Sequence, residues 1–161
     1  MGFSALVPEL VVTDINASLQ FWCGVVGFTV WYDRPEEHFA YLSLGEAQIM
    51  LEQHCPGDRS FVNGALAQPF SRGINFQLAV PSVDEIADRC ARQGIALFWP
   101  MEERWYRQGD HEVGQRQMIV ADPDGYLVRC MQPLGTRSTR LPAPSSFCCP
   151  DVLSWHTSGL S

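Results

Sequence analysis

Few residues of this chain have the type and spacing that chemistry requires, and the most distinctive of them is an arginine. Arg129 lies in the stretch DPDGYLVRC, where a tight Asp-Pro-Asp-Gly turn precedes a short, mostly apolar strand. Strand alternation directs its side chain away from the face that carries Tyr126 and Val128. A permanent positive charge on such a strand predicts a partner elsewhere in the chain.

Other combinations that could support catalysis are weak. His54 and Cys55 are adjacent in EQHCPGD, but sequence neighbours on a loop seldom have the geometry of a thiol activated by a base. His38 and His111 lie in polar, loop-like stretches. The chain contains no C-x-x-C pair, phosphate loop, nucleophile elbow or nucleotide fingerprint. We therefore expect its six cysteines to be free thiols and the chain to use no nucleotide cofactor.

Two helices of the same design must position these residues. In the first, Asp14 is the predicted N-cap and Gly27 the predicted C-terminal stop of an apolar stripe. In the second, Ser82 and Glu85 form a capping box, and Gly94 ends the helix. Each helix is preceded by one strand-like run and followed by several others, so the pattern predicts two βαβββ modules of an α+β fold.

The predicted organisation is a single domain followed by a tail. The domain spans residues 1–134, and its parts are module one at 4–53, a polar linker at 54–72 and module two at 73–134. Residues 135–161 are rich in Pro, Ser and Thr and show no sustained period. We expect this tail to be disordered or loosely packed.

The doubled module and two specific stretches, VTDINASLQFW and VADPDGYLVR, carry a family resemblance. Together they resemble the vicinal oxygen chelate superfamily, which includes glyoxalases, extradiol dioxygenases, fosfomycin-modifying enzymes and bleomycin resistance proteins. The resemblance covers residues 4–134 and implies a cup-shaped mixed sheet with the helices on its outer face. It specifies the superfamily better than the chemistry, because one fold hosts many functions.

The resemblance also implies where a metal would bind in metal-dependent members. The four ligand positions fall on Val7, Met50, Asn75 and Arg129. Valine cannot bind a metal, methionine is a soft ligand and asparagine a weak one, and arginine places a positive charge where the ion would sit. We therefore expect neither a metal nor another cofactor, and the closest likeness is to the non-metal bleomycin resistance proteins.

Strand alternation from those positions predicts the wall of the cup. Arg129 is expected to pair there with Glu9 or Glu52, because buried charges are costly when unpaired. A register shift of one residue would instead turn Arg129 toward solvent or the helix. An internal ion pair without any ligand is the other alternative. The predicted ligand-binding residues are Glu9, Gln48, Met50, Glu52, Asn75, Gln77, Trp105, Tyr106 and Arg129.

Trp105 and Tyr106 enter this set because they are aromatic residues among charged neighbours. Glu103, Arg104 and Arg107 surround them, which favours the rim of a cup over a core and allows a cation–π contact with a basic ligand. Core packing is the alternative interpretation.

Composition limits the classes of partner. The chain of 161 residues has a net charge of −7 and no basic cluster, which argues against nucleic acid and against an anionic membrane surface. No apolar run approaches the roughly 20 residues that a membrane span needs, and the N-terminus does not resemble a signal peptide, so we expect a cytoplasmic protein. The acidic balance mildly favours a cationic small ligand.

The resemblance to bleomycin resistance proteins implies a homodimer whose pockets lie between modules at the interface. Such a protein would confer antibiotic resistance by sequestering a cationic or planar ligand without chemistry. The competing class is a lyase or dioxygenase with an atypical metal site, or a cofactor-free isomerase that uses Glu9 or Glu52 as its base. A structural or partner-binding module is less consistent with the polar alternation on three strands.

Overall fold

Two four-stranded mixed sheets form the frame of the molecule. The computed structural model describes residues 2–57 and 61–139. The strands in this part of the chain are β1 (Glu9–Val12), β2 (Thr29–Arg34), β3 (Phe39–Leu44), β4 (Ala47–Gln53), β5 (Asn75–Ala79), β6 (Leu97–Gln108), β7 (His111–Ala121) and β8 (Leu127–Ser138). The strand orders are β1-β4-β3-β2 and β5-β8-β7-β6, with one parallel pair in each sheet, β1 with β4 and β5 with β8. The predicted α+β fold of two βαβββ modules is confirmed.

Each module contains one principal helical segment. These are α1 (Ile15–Leu19), which continues as a π-helical stretch (Gln20–Val26), and α2 (Val83–Arg92). Asp14 caps the first by accepting from the backbone N–H groups of Asn16 and Ala17, and Ser82 caps the second. Gly27 ends the first helix at a φ of 103°, which favours glycine. No helix among the described residues is both long and apolar enough to cross a membrane.

One apolar core joins the two modules. Side chains from both helices and from one face of each sheet belong to a single buried cluster. Polar contacts also cross between modules: Trp22 Nε1 donates to Asp122 Oδ2 at 3.2 Å, and Arg89 Nε donates to the carbonyl of Val25 at 2.6 Å. The helices therefore cover one face of each sheet and leave the other face, here called the open face, for other contacts.

Strand alternation assigns residues to these two faces much as the sequence predicts. On β4, Ile49 and Leu51 belong to the core, whereas Met50 and Glu52 do not. On β5, Leu78 is buried and its neighbour Gln77 is exposed. The register assumed for these strands is consistent with their burial.

Two strands are longer than the sequence predicts. β6 continues through Pro100 and joins two stretches, 95–100 and 104–108, that the sequence pattern predicts as separate strands. An edge strand such as β6 tolerates the missing N–H donor of proline. β8 runs to Ser138, four residues beyond the predicted domain boundary at 134, and pairs with β7 to its end. The rest of the predicted tail, from 140 to 161, lies outside the described residues.

Candidate functional site

A large cavity lies on the open face of the first sheet, and two glutamates form its floor. This acidic cavity has a volume of about 680 Å³ and is lined by Glu9, Tyr32, Arg34, Glu36, Glu37, Phe39, Met50, Glu52, Gln53, Cys55 and Phe61. Glu9 on β1 pairs with Met50 on β4, and Val11 pairs with Glu52, so the two carboxyl groups are diagonal neighbours across parallel strands. Four glutamates and one arginine in the lining give the cavity a negative potential.

The two carboxyl groups on the floor share a proton. A hydrogen bond with Glu52, partial burial and the charge of Glu52 together raise the pKa of Glu9 from 4.5 to about 7. Near neutral pH the pair therefore changes between one negative charge and two. Such a pair can attract a cation or exchange a proton with a bound molecule.

Aromatic rings form one wall of the acidic cavity. Tyr32 and Phe39 line it, and the Tyr32 ring is stacked on Tyr41 with 5.0 Å between centroids and 20° between planes. At the rim, the Arg34 guanidinium lies 3.9 Å from the centroid of the Phe39 ring and pairs with Glu37. Among the residues that the structure describes, the one cation of this lining is therefore already paired, and the cavity offers aromatic rings beside the carboxyl groups of Glu9 and Glu52.

A second cavity lies on the open face of the other sheet and has a different charge. This arginine cavity has a volume of about 500 Å³ and is lined by Gln77, Tyr106, Arg107, Gln108, Val113, Gln115 and Arg129. Gln77 on β5 is the cross-strand neighbour of Arg129 on β8, and the Tyr106 hydroxyl accepts from Gln117 Nε2 at 2.8 Å. Within residues 2–57 and 61–139, no carboxylate belongs to this lining.

The predicted single cup is thus divided between two sheets within one chain. Glu9, Met50 and Glu52 line the acidic cavity, whereas Gln77, Tyr106 and Arg129 line the arginine cavity. The expected ion pair of Arg129 with Glu9 or Glu52 is not formed among the described residues. Alternation along a strand predicts on which face of its sheet a residue lies. It does not predict whether residues from two different sheets line the same cavity.

Gln48 and Asn75 have surroundings that differ from those predicted. Gln48 is buried, and its amide is held by the Tyr41 hydroxyl at 2.7 Å, by the Ser4 N–H and by the carbonyl of Gly2. It fixes the N-terminal segment and lines neither of these two cavities. Asn75 is exposed at the start of β5 and lines neither of these two cavities.

Trp105 also lies away from both cavities. Its ring packs on Gly114, where a Cβ atom would come within 2.7 Å of the ring, and the Arg137 guanidinium lies 4.2 Å from its centroid. Neighbouring residues on a strand point to opposite faces, so Trp105 and Tyr106 cannot both face one cup. Tyr106 lines the arginine cavity, whereas Trp105 does not.

The side chains at the four family metal positions do not suit a metal centre. Met50 lies in the acidic cavity and Arg129 in the arginine cavity, while Val7 has no ligating atom. A guanidinium and a thioether offer no hard donor set for Mg, Mn or Fe. Among the described residues, no group of three or more His, Cys, Asp and Glu side chains could hold an ion.

Several residues of the acidic cavity are absent from the sequence-based set. Arg34, Glu37 and Cys55 line it from β2, the turn after β2 and the chain that follows β4. Cross-strand pairing of Phe39 with Glu52 brings β3 into the wall. The sequence does show that Tyr32 and Arg34 lie on the same side of β2. It does not show that this side lines a cavity, which depends on the position of β2 at the edge of the sheet.

Comparison with known proteins agrees with this architecture. The family model of the Glyoxalase/Bleomycin resistance protein/Dioxygenase superfamily matches residues 5–130. Bleomycin resistance proteins of Geobacillus stearothermophilus and Staphylococcus aureus are each 29% identical over 133 residues, covering 78% of this chain and 94% of theirs.

Solved structures are similar in fold. TioX from Micromonospora sp. ML1 has a TM-score of 0.59 and 24% identity, covering 82% of this chain and 100% of TioX. An integron cassette protein from the mobile metagenome of V. cholerae has a TM-score of 0.59 and 20% identity, covering 82% of this chain and 97% of its own. The match of the family model over most of the chain decides the assignment: the protein belongs to the glyoxalase/bleomycin resistance protein/dioxygenase superfamily.

Proposed function

We propose that this protein binds and sequesters a small cationic, planar molecule in the acidic cavity and does no chemistry on it. The observation that carries the proposal is the Glu9–Glu52 pair beside the ring of Tyr32. The volume of about 680 Å³ falls within the range of roughly 300–1,000 Å³ that is typical of small-molecule sites. A positive group would lie over the carboxylates, and a flat ring system would stack on Tyr32.

The biological role that we propose is protection against a toxic compound such as an antibiotic. The curated relatives are named as bleomycin resistance proteins, which supports this role. Sequestration in the cytoplasm would lower the free concentration of the compound without consuming it. Expression in a sensitive bacterial host should then raise the bleomycin concentration that inhibits growth, and a Glu9→Gln/Glu52→Gln variant should not.

We further propose that the protein acts as a homodimer joined through its open faces. The open face of the second sheet carries Trp99 and Tyr106, which are 48% and 41% exposed. Exposed aromatic side chains beside polar ones are typical of interaction surfaces. Light scattering coupled to gel filtration should give twice the chain mass. Trp99→Glu should lower the measured mass toward that of the monomer. Ala91→Glu, on the exposed side of α2, is the control and should leave the mass unchanged.

Binding to the acidic cavity can be measured with N-methylacridinium, a planar cation whose charge does not depend on pH. Its fluorescence should change saturably on titration with the protein at pH 8. Loss of one carboxylate in Glu52→Gln should weaken binding about tenfold, which corresponds to about 1.4 kcal/mol. Asp88→Asn, an exposed change on α2, is the matched control and should leave the affinity unchanged. Equal affinity in Glu52→Gln would contradict the proposed site.

A second candidate is a cofactor-free isomerase that uses Glu9 as a general base. The observation that favours it is the pKa of Glu9 at about 7, because a base that titrates near the working pH transfers protons efficiently. The two functions differ in one measurable outcome. In D₂O a general base would exchange an acidic C–H of its bound substrate, whereas sequestration leaves every C–H of the ligand unlabelled. Proton NMR of the recovered ligand distinguishes them.

A further inference from the structure

The counter-charge of Arg129 is absent from the described chain. Its Nε atom is buried and has no hydrogen-bond partner, and residues 2–57 and 61–139 place no carboxylate within ion-pair distance of its guanidinium. A guanidinium keeps its charge at every accessible pH, and burying it without a partner costs free energy. Arg129 is half-buried, so the other nitrogens of its guanidinium can contact solvent, a bound molecule or another chain.

The space in front of Arg129 is large enough for a small molecule. The arginine cavity of about 500 Å³ falls in the range of ligand sites. Its polar lining consists of groups that can donate hydrogen bonds. The Tyr106 hydroxyl already accepts from Gln117, which leaves its own proton available, and Gln77 lies directly across from Arg129 on the neighbouring strand.

Two further features of the lining favour an anion over a neutral guest. Arg107 adds a second positive charge to the same cavity. Gln115 also lines the cavity, and its side-chain amide can donate N–H groups there because the buried atom of this amide is the oxygen. Among the described residues, the lining has two guanidinium groups, four neutral side chains able to donate and no carboxylate, which is complementary to an oxyanion.

We propose that the arginine cavity binds a small molecule through an oxyanion, a carboxylate or a phosphate group, with Arg129 as its anchor. Two of its oxygens would accept from the two Nη atoms, which are not among the buried atoms of Arg129, in the two-pronged geometry that guanidinium groups form with carboxylates and phosphates. Gln77 and the Tyr106 hydroxyl bind the same group from the side. This site is separate from the acidic cavity and does not depend on the function proposed for it.

The test uses the full chain, with sodium benzoate and inorganic phosphate as probes in a buffer free of other oxyanions. The Nε–Hε signal of Arg129, assigned by its loss in Arg129→Gln, should shift saturably in ¹⁵N-correlated NMR spectra. Titration of backbone amide signals should give an affinity at least tenfold weaker in Arg129→Gln than in the unchanged protein. Arg129→Lys keeps the positive charge but lacks the planar guanidinium, so its affinity should lie between those of Arg129→Gln and the unchanged protein. Arg92→Gln, on the exposed end of α2, is the control and should bind both probes normally.

The use of two probes identifies the preferred group, since benzoate and phosphate differ in shape and charge. Equal affinity in Arg129→Gln, or an Nε–Hε signal that does not respond to either probe, would overturn the proposal. The proposal would also be overturned if Arg129 pairs with a carboxylate of a second copy of the chain. The Nε–Hε signal would then change with protein concentration and in Glu52→Gln, but not on addition of either anion. A response confined to Asp151→Asn would assign the counter-charge to the C-terminal segment and would also overturn it. Titration of the same samples with N-methylacridinium reports on the acidic cavity independently.

Discussion

Cation binding in the acidic cavity should depend on pH across neutrality, because the Glu9–Glu52 pair shares one proton. The pKa of Glu9 is about 7, so the doubly ionised pair makes up about 9% of the protein at pH 6 and about 91% at pH 8. A cation binds the doubly ionised form in preference, and the apparent dissociation constant varies inversely with its population. We expect the dissociation constant of N-methylacridinium to be about tenfold larger at pH 6 than at pH 8.

The assay is a fluorescence titration with N-methylacridinium at constant ionic strength between pH 5.5 and 8.5. In Glu9→Gln the titrating proton is gone, so the affinity should be nearly independent of pH and weaker than normal at pH 8. His54 precedes Cys55 of the lining, so a substitution at this position separates its contribution from that of the glutamate pair. His54→Gln is therefore the control and should keep the tenfold change. A flat profile in the unchanged protein, or a flat profile only in His54→Gln, would refute the assignment of this proton to the glutamate pair.

The same protonation has a consequence for stability, with a defined sign. The pKa of Glu9 is raised in the folded state, so the folded state binds this proton more tightly than the unfolded chain. The contribution to the free energy of unfolding is complete below pH 4.5 and is lost as the pH rises toward 7. Because Glu9 is exposed, solvent screening reduces the effect to about 1 kcal/mol or less. Above pH 7, where this stabilisation by the proton is lost, a bound cation should instead stabilise the folded state.

Three other substitutions have expected outcomes that urea and thermal unfolding can measure. Arg129→Met should leave stability unchanged or raise it by about 1 kcal/mol in oxyanion-free buffer, and a loss near 3 kcal/mol would reveal an acidic partner. Asp124→Asn should cost about 3 kcal/mol, because the buried carboxylate accepts from the N–H and hydroxyl of Thr13 at 2.9 and 2.7 Å. Gly114→Ala should cost about 1–3 kcal/mol because its Cβ would meet the Trp105 ring, whereas Gly64→Ala meets nothing and should have no such cost.

Local features of the fold could be predicted because their causes lie within a few residues. Asp14 and Ser82 cap their helices as expected, and the positive φ angles of Gly27 and Gly94 come where the apolar stripes end. These positions depend on side-chain hydrogen bonds and on backbone sterics, both of which a short stretch of sequence specifies.

Long-range features of the site could not be predicted, because they depend on how the sheets pack. Alternation along β8 predicts that Arg129 lies on the side away from Val128. It does not predict that Arg129 and Glu9 line different cavities, because this depends on how the two sheets pack around the shared core. Trp105 shows a second limit. Its charged neighbours suggested a ligand platform, yet the missing side chain of Gly114 on the adjacent strand provides its packing surface.

The opposite charges of the two cavities limit the ligand that a dimer could accept. In a homodimer joined through its open faces, the acidic cavity of one copy and the arginine cavity of the other could face one guest. A molecule with a cationic ring and a carboxylate would then bind both at once, and the second contact would form at a high effective concentration. We expect N-methylacridinium carrying a carboxylate on a short linker to bind at least tenfold more tightly than N-methylacridinium at pH 8. The gain should vanish in Arg129→Gln, and in Trp99→Glu if that change dissociates the dimer. A carboxylate that gives no gain, in a protein that binds benzoate and the acridinium separately, would mean that the two cavities serve different molecules.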